Sequence, residues 1–288
     1  MKVSGFTFIR NAIKYDYPIV EAIKSILPIC DDFIVVVGNS EDNTRKIIES
    51  ISPKITIVDS IWNETLRKGG HILAVETNKA FDAVPPDSDW AFYIQGDEVI
   101  HEKYLDSILS SMRIWKDDKN VTGLLFNYTH FYGSYDYIGD SRKWYRKEIR
   151  IIKNDKAIRS YKDAQGFRKN GEKLLVKQID AFVYHYGWVK PPQFQQSKQQ
   201  YFKTLWHDDK WLKDNIPATE EFDYSGIDSL AIFQGTHPFE MQNRIQKQNW
   251  KISFDPTQKK LSLKQRILFL VERFTGYRIG EYKNYKII

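Results

Sequence analysis

Apolar and polar positions switch between two periods along the first hundred residues. Residues 4–9, with Phe6, Phe8 and Ile9 among small and polar positions, read as a first strand ending at Arg10-Asn11. Over 17–26 the apolar positions Ile19, Ile23 and Ile26 recur at helical spacing, with Pro18 acceptable in the first turn. Residues 33–37 are β-branched throughout after Phe33 and predict a buried strand. That run breaks at Gly38-Asn39-Ser40-Glu41-Asp42-Asn43-Thr44, and a helix is expected over 45–51. A third strand follows at 55–58, a loop around Lys68-Gly69-Gly70 feeds a helix over 71–83, and a fourth strand covers 90–94. Such alternation of strand and helix predicts a parallel, doubly wound α/β sheet.

Beyond residue 110 the pattern changes. Segments 121–128, 147–152 and 181–184 read as strands with no long helix between the first two, so a mixed sheet is added to the first half. From Pro191-Pro192 helical periodicity returns over 194–211, 238–248 and 263–274. The expected fold is therefore α/β, a mixed, mainly parallel sheet flanked by helices, with residues 1–190 as one unit and a mainly helical extension over 191–288. In that extension Leu263, Ile267, Leu268, Leu270, Val271 and Phe274 share one side of a helix, and Lys264, Gln265, Arg266, Glu272 and Arg273 lie elsewhere. Two readings stand: packing on its own protein, or peripheral contact of a basic amphipathic helix with an anionic membrane. The basic, tyrosine-rich end (Tyr277, Arg278, Tyr282, Lys283, Tyr285, Lys286) keeps the second open.

Composition narrows the class. Apolar residues at 42% and charged residues at 28% are ordinary for a globular chain of 288 residues, while aromatics reach 15%. The single cysteine, Cys30, sits in an apolar stretch and reads as a buried, inert thiol. It rules out an intramolecular disulfide; with no signal-peptide pattern at the start, a cytoplasmic location, at most at the inner face of a membrane, is expected. A net charge of +6 suits an anionic partner, but the basic residues are dispersed and no zinc pattern occurs, so nucleic acid is not expected.

The candidate chemistry lies at Tyr93-Ile94-Gln95-Gly96-Asp97-Glu98, where a buried apolar run stops at a glycine and two acids. Carboxylates at the carboxyl end of a parallel strand point into the crevice where ligands collect, and suit a hard divalent cation held against phosphate. The competing reading makes Asp97 a cap for the helix carrying Tyr104, Leu105 and Ile108.

Four stretches together resemble the family 2 glycosyltransferases of GT-A fold. Thr7-Phe8-Ile9-Arg10-Asn11 resembles the first strand and its nucleotide-facing end. Gly38 to Thr44 resembles the loop that in the family carries two aspartates, Gly-Ser, one residue and Asp-Gly-Thr. Gly69-Gly70 with Asn78 resembles the Gly and Asn before the metal motif, and Ile94-Gln95-Gly96-Asp97-Glu98 resembles that motif in its Leu-Asp-Ala-Asp-Glu form. The match covers roughly residues 3 to 110, with His185-Tyr186-Gly187-Trp188 as a further segment. It departs at Val37 and Gly38, which stand where the family has its two aspartates, and at Gln95, which replaces the first aspartate of the metal motif.

The resemblance implies a metal-dependent, inverting glycosyltransferase moving a sugar from a nucleotide-sugar donor to a glycan or lipid-linked acceptor, in cell-envelope polysaccharide synthesis. It implies Mn²⁺ or Mg²⁺ on Asp97, with His185 as a second ligand, and a nucleotide-sugar site formed by Ile9, Arg10, Asn11, Asp42, Lys68, Asn78, Gln95 and Gly96. Asp163 falls where the family places its acceptor-side loop and is the expected base; Glu98 and Glu148 are the other candidates. Trp188 and His237 lie in the acceptor region, as does His207-Asp208-Asp209, whose consecutive helical positions point apart. The alternative is a degenerate member that binds a nucleotide-sugar or glycan without turnover, motivated by Gln95 and Gly38. A nucleotidyltransferase on a similar sheet ranks lower, because Phe8-Ile9-Arg10-Asn11 lacks the glycine-rich signature common in that class.

Overall fold

The computed structural model describes residues 1–288 apart from Glu64, Arg67 and residues 216–218, and describes Lys68 through its backbone alone. In chain order the strands are β1 (Val3–Ile9), β2 (Asp32–Gly38), β3 (Ile55–Ser60), β4 (Trp90–Tyr93), β5 (Glu98–Ile100), β6 (Gly123–Tyr132), β7 (Tyr137–Gly139), β8 (Lys147–Lys153), β9 (Ile158–Tyr161), β10 (Gly166–Lys169), β11 (Glu172–Lys173), β12 (Leu175–Trp188), β13 (Leu230–Ile232) and β14 (Lys286–Ile287). The helices are α1 (Ile19–Ile26), α2 (Thr44–Glu49), α3 (His71–Asp82), α4 (Leu105–Trp115), α5 (Pro192–Thr204), α6 (Asp209–Asn215), α7 (Gln242–Gln246) and α8 (Leu263–Thr275).

The main sheet has the order β3-β2-β1-β4-β8-β6-β12. β1 pairs in parallel with β2 and β4, β2 with β3, and β6 with β12, whereas β8 runs antiparallel to both its neighbours. This is the mixed α/β arrangement the sequence predicts. The chain moves outward from β1 to β2 and β3, then returns through α3 to β4 on the other side of β1. Strand order therefore reverses between β1 and β4, and a crevice opens beyond their carboxyl ends.

Local chemistry explains the centre of the sheet. Phe33, Ile34, Val35, Val36 and Val37 of β2 are all buried, as a strand covered on both faces requires. Gly5 lies opposite Phe33, and a Cβ there would stand 2.3 Å from the Phe33 ring, so glycine makes room for it. α1 buries Ile19, Ile23 and Ile26, the face its periodicity predicts.

The second half differs from the periodicity in instructive ways. The helix expected over 194–211 breaks into α5 and α6, because the Asp208 carboxylate accepts from the Trp211 N–H at 2.8 Å and starts a new helix. The helix expected over 238–248 shortens to a 3₁₀ turn at Phe239–Met241 followed by α7. Residues 98–100, not expected as a strand, form β5, which pairs antiparallel with β12. The region beyond residue 190 is also tied back into the first: β13 pairs with β7, β14 with β12, and Tyr285 joins the core around Phe6 and Phe167.

Candidate active site

Asp97 sits in the turn from β4 to β5, where its own carbonyl accepts from the Tyr186 N–H of β12 at 2.8 Å. Its carboxylate meets two groups from later in the chain. The Lys198 ammonium, from α5, donates to Asp97 Oδ2 at 3.0 Å and to the Gly187 carbonyl at 2.9 Å. His185 Nε2 lies 3.8 Å from Asp97 Oδ1, beyond hydrogen-bond distance. Gly187 lets these groups converge, since a Cβ there would lie 2.6 Å from Asp97 Oδ2 and 2.8 Å from the His185 ring. Burial by itself would raise the Asp97 carboxyl; Lys198, then His185 and Lys190, override it and hold the group well below the usual carboxylate range. Lys190, buried and next to the Lys198 charge, is pushed down to about 7.

A cavity of about 540 Å³ opens beside this cluster, at the crevice between β1 and β4. Ile9, Arg10, Gln95, Gly96, Asp97, Asp163, His185 and Trp188 line it, so a substantial part of the expected set converges there. Arg10 donates to the Tyr201 hydroxyl at 3.2 Å and lies over the Trp62 ring. Gln95 donates to the Ala164 carbonyl at 3.3 Å, tying the turn after β4 to the loop that holds Asp163. Asp163 stands between two residues with positive φ, Lys162 and Ala164, in the turn from β9 to β10. Burial raises its carboxyl above the ordinary value, against the pull of backbone N–H groups and Lys162.

Other expected residues are engaged away from the cavity. Glu98 is fully buried: Arg150 grips both its oxygens at 2.7 and 2.8 Å, and the Tyr128 hydroxyl donates at 2.7 Å, so no oxygen remains for an acceptor hydroxyl. Glu148 is buried as well, which pushes its carboxyl up to about 8. Asn11 Oδ1 accepts from the Glu41 N–H, and Asp42 accepts from the Thr44 and Lys14 N–H groups, so both brace the loop after β2. Asn78 accepts from the Ser160 N–H and joins α3 to β9. His237 is fixed between the Tyr186 hydroxyl and the Tyr135 carbonyl, with burial pushing it down to about 4. None of these lines the cavity. The Lys68 side chain lies outside the described residues.

Sequence reading missed what α5 and the segment after it contribute. Lys198, Tyr201, Phe202, Lys203 and Trp206 line the cavity, with Trp62 and Tyr17 from the first half, and His207, expected in the acceptor region, lines it too. The only signal was the run of lysines and aromatics over 198–206; nothing in it fixed which face would meet the sheet.

Among the described residues no cluster of three or more His, Cys, Asp or Glu could hold a metal ion. Asp97 Oδ1 and His185 Nε2 nonetheless form a two-donor edge on the cavity wall. With Lys198 on Oδ2 only Oδ1 is left on Asp97, and one carboxylate oxygen with one imidazole nitrogen suits Mn²⁺ better than the oxygen-seeking Mg²⁺, the remaining ligands coming from substrate phosphates and water.

No protein-family model matches the chain, and no curated protein matches it. Among solved structures, TarS of S. aureus is 16% identical over 70% of this chain and 39% of its own, with a TM-score of 0.41. TarS 1–349 in complex with UDP-GlcNAc is 15% identical over 76% of this chain and 68% of its own, at 0.42. Glucosyl-3-phosphoglycerate synthase of Mycobacterium tuberculosis, solved with Mn²⁺, UDP and phosphoglyceric acid, is 17% identical over 45% of this chain and 43% of its own, at 0.31. The chain thus spans well under half of full TarS. Likenesses this distant carry no weight for its activity.

Proposed function

We propose that the protein is a GT-A glycosyltransferase of family 2 type, transferring a sugar from a nucleotide-sugar to a glycan or lipid-linked acceptor with inversion. The observation that carries this reading is the cavity at the strand-order reversal. Its walls set cations (Arg10, Lys198, Lys203) and aromatic faces (Trp62, Tyr201, Trp206) around one paired carboxylate, Asp97. Cations meet a diphosphate, and aromatic faces meet a base and a sugar ring.

In the reaction the acceptor oxygen bonds to the anomeric carbon as the carbon–oxygen bond to the diphosphate breaks, and that electron pair leaves on the diphosphate. Asp163, partly buried and raised, takes the acceptor proton. Lys198 uses two of its three N–H donors on Asp97 and Gly187, which leaves one for an oxygen in the cavity it lines. Asp97 and His185 would hold a divalent ion, which when bound neutralises charge developing on the leaving phosphates. The exposed apolar face of α8, bordered by Lys264, Arg266 and Arg273, supports peripheral contact with an anionic membrane, where a lipid-linked acceptor would reside.

The test is a thermal-shift screen of UDP-, GDP-, CMP- and dTDP-sugars with and without Mn²⁺, followed by measurement of nucleotide release. Binding of one donor raises the melting temperature by mass action. Asp163→Asn is expected to lower turnover about 10²- to 10⁴-fold with donor affinity kept. Full activity in that variant removes Asp163 as the base; a donor shift without wild-type turnover selects the non-catalytic binder.

A further inference from the structure

β6 and β12 run in parallel and set His130 directly opposite His185. The two Nδ1 atoms are 3.2 Å apart, and His130 Nε2 lies 2.8 Å from the Tyr145 carbonyl oxygen. A carbonyl only accepts, so His130 Nε2 carries a hydrogen. The His130 ring is 3% exposed and stacked against Tyr128 and Trp144, with its edge to Tyr145. Among the described residues it touches no carboxylate, so a charge on it would stand uncompensated and the ring is neutral. Its Nδ1 is then a bare acceptor, and the hydrogen between the two rings belongs to His185 Nδ1. His185 Nε2 is left as a lone pair on the cavity wall, 3.8 Å from Asp97 Oδ1. Asp97 Oδ2 is taken by the Lys198 ammonium, which leaves the edge between Asp97 Oδ1 and His185 Nε2, two electron-rich atoms facing each other, for a further cation.

We propose that His130 is a positioning residue that locks His185 in the Nδ1–H tautomer and so presents Nε2, with Asp97 Oδ1, to a divalent cation such as Mn²⁺. The metal half rests on the function proposed above; the tautomer half does not. An orienting partner of this kind fixes both the ring and the donor atom of a metal-binding histidine.

The tautomer is read first, in metal-free protein with ¹⁵N-labelled imidazoles, by long-range ¹H–¹⁵N correlation. The expected result is a hydrogen on Nδ1 of His185 and on Nε2 of His130. Mn²⁺ binding is then followed by electron paramagnetic resonance in the wild type, His130→Phe and His130→Asn, each checked for an unchanged melting transition. His130→Phe is expected to weaken Mn²⁺ binding about 10- to 100-fold. His130→Asn, whose Oδ1 can accept from His185 Nδ1, is expected to recover most of it. A hydrogen on His185 Nε2, or wild-type Mn²⁺ affinity in His130→Phe, overturns the inference. A wild type that binds donor but no Mn²⁺ overturns the metal half alone, and one that binds no donor at all overturns the transferase reading.

Discussion

Asp97 and Glu98 are adjacent and chemically alike, yet they have opposite fates. In the turn from β4 to β5 successive side chains leave on opposite sides, so Asp97 faces the cavity and Glu98 faces the interior. There Glu98 neutralises Arg150, whose guanidinium also lies over the rings of Tyr93 and Tyr128. Glu98→Gln leaves Arg150 buried without its counter-charge, and breaking such a pair costs about 3–5 kcal/mol. The expected outcome is a lower midpoint of urea unfolding with the slope unchanged. Unchanged stability with lost transfer would instead return Glu98 to the catalytic list.

At the scale of the element, α5 and α8 are both amphipathic but use their faces differently. α5 turns Lys198 toward Asp97 and closes the cavity. α8 begins in a capping box of Ser262 and Gln265, and is anchored through Glu272, which pairs with Arg142 and Arg278. Its stripe of Leu263, Ile267, Leu270 and Phe274 stays outside, at 77%, 54%, 51% and 84% exposure. An apolar stripe bordered by arginine and lysine matches the interface of an anionic bilayer. Leu270→Glu with Phe274→Glu is expected to abolish sedimentation with phosphatidylglycerol vesicles, and to leave the melting temperature unchanged because neither residue is buried. Binding by the wild type should weaken as salt screens the basic border. A wild type that ignores such vesicles would remove the membrane from the proposal.

Across the whole molecule, buried ionisable groups shape the pH dependence, and Glu148 carries one part of it. The folded protein holds a proton on Glu148 up to about 8, whereas the unfolded chain releases it near the ordinary 4.5. Between those values the native state binds more protons, so this contribution to stability is complete at low pH and is lost as pH rises through 8. Glu148→Gln is expected to flatten the decline of unfolding free energy across that window, followed by denaturant titrations at a series of pH values. An unchanged slope would mean that Glu148 titrates normally. Asp97 acts in the other sense: its depressed carboxyl stabilises above the ordinary carboxylate range and loses that effect as pH falls.

The sequence by itself determined the parallel strands at the centre of the sheet. The runs Phe33 to Val37 and Trp90 to Ile94 read as buried strands, the second ending at Tyr93 in the structure, the periodicity of Ile19, Ile23 and Ile26 marks a helix, and an apolar run ending at Gly96-Asp97 marks a crevice edge. These are properties of short stretches whose own burial dictates their form. Tertiary structure alone decided which side chains line the cavity. Lys198 is 101 residues from Asp97, and His130 is 55 from His185. It also sets Asn11, Asp42, Asn78 and His237 in hydrogen bonds off the cavity lining, although their residue types suit ligand binding equally well. A polar side chain's role depends on which partner reaches it first, and that is fixed by strand register and helix docking across the whole chain.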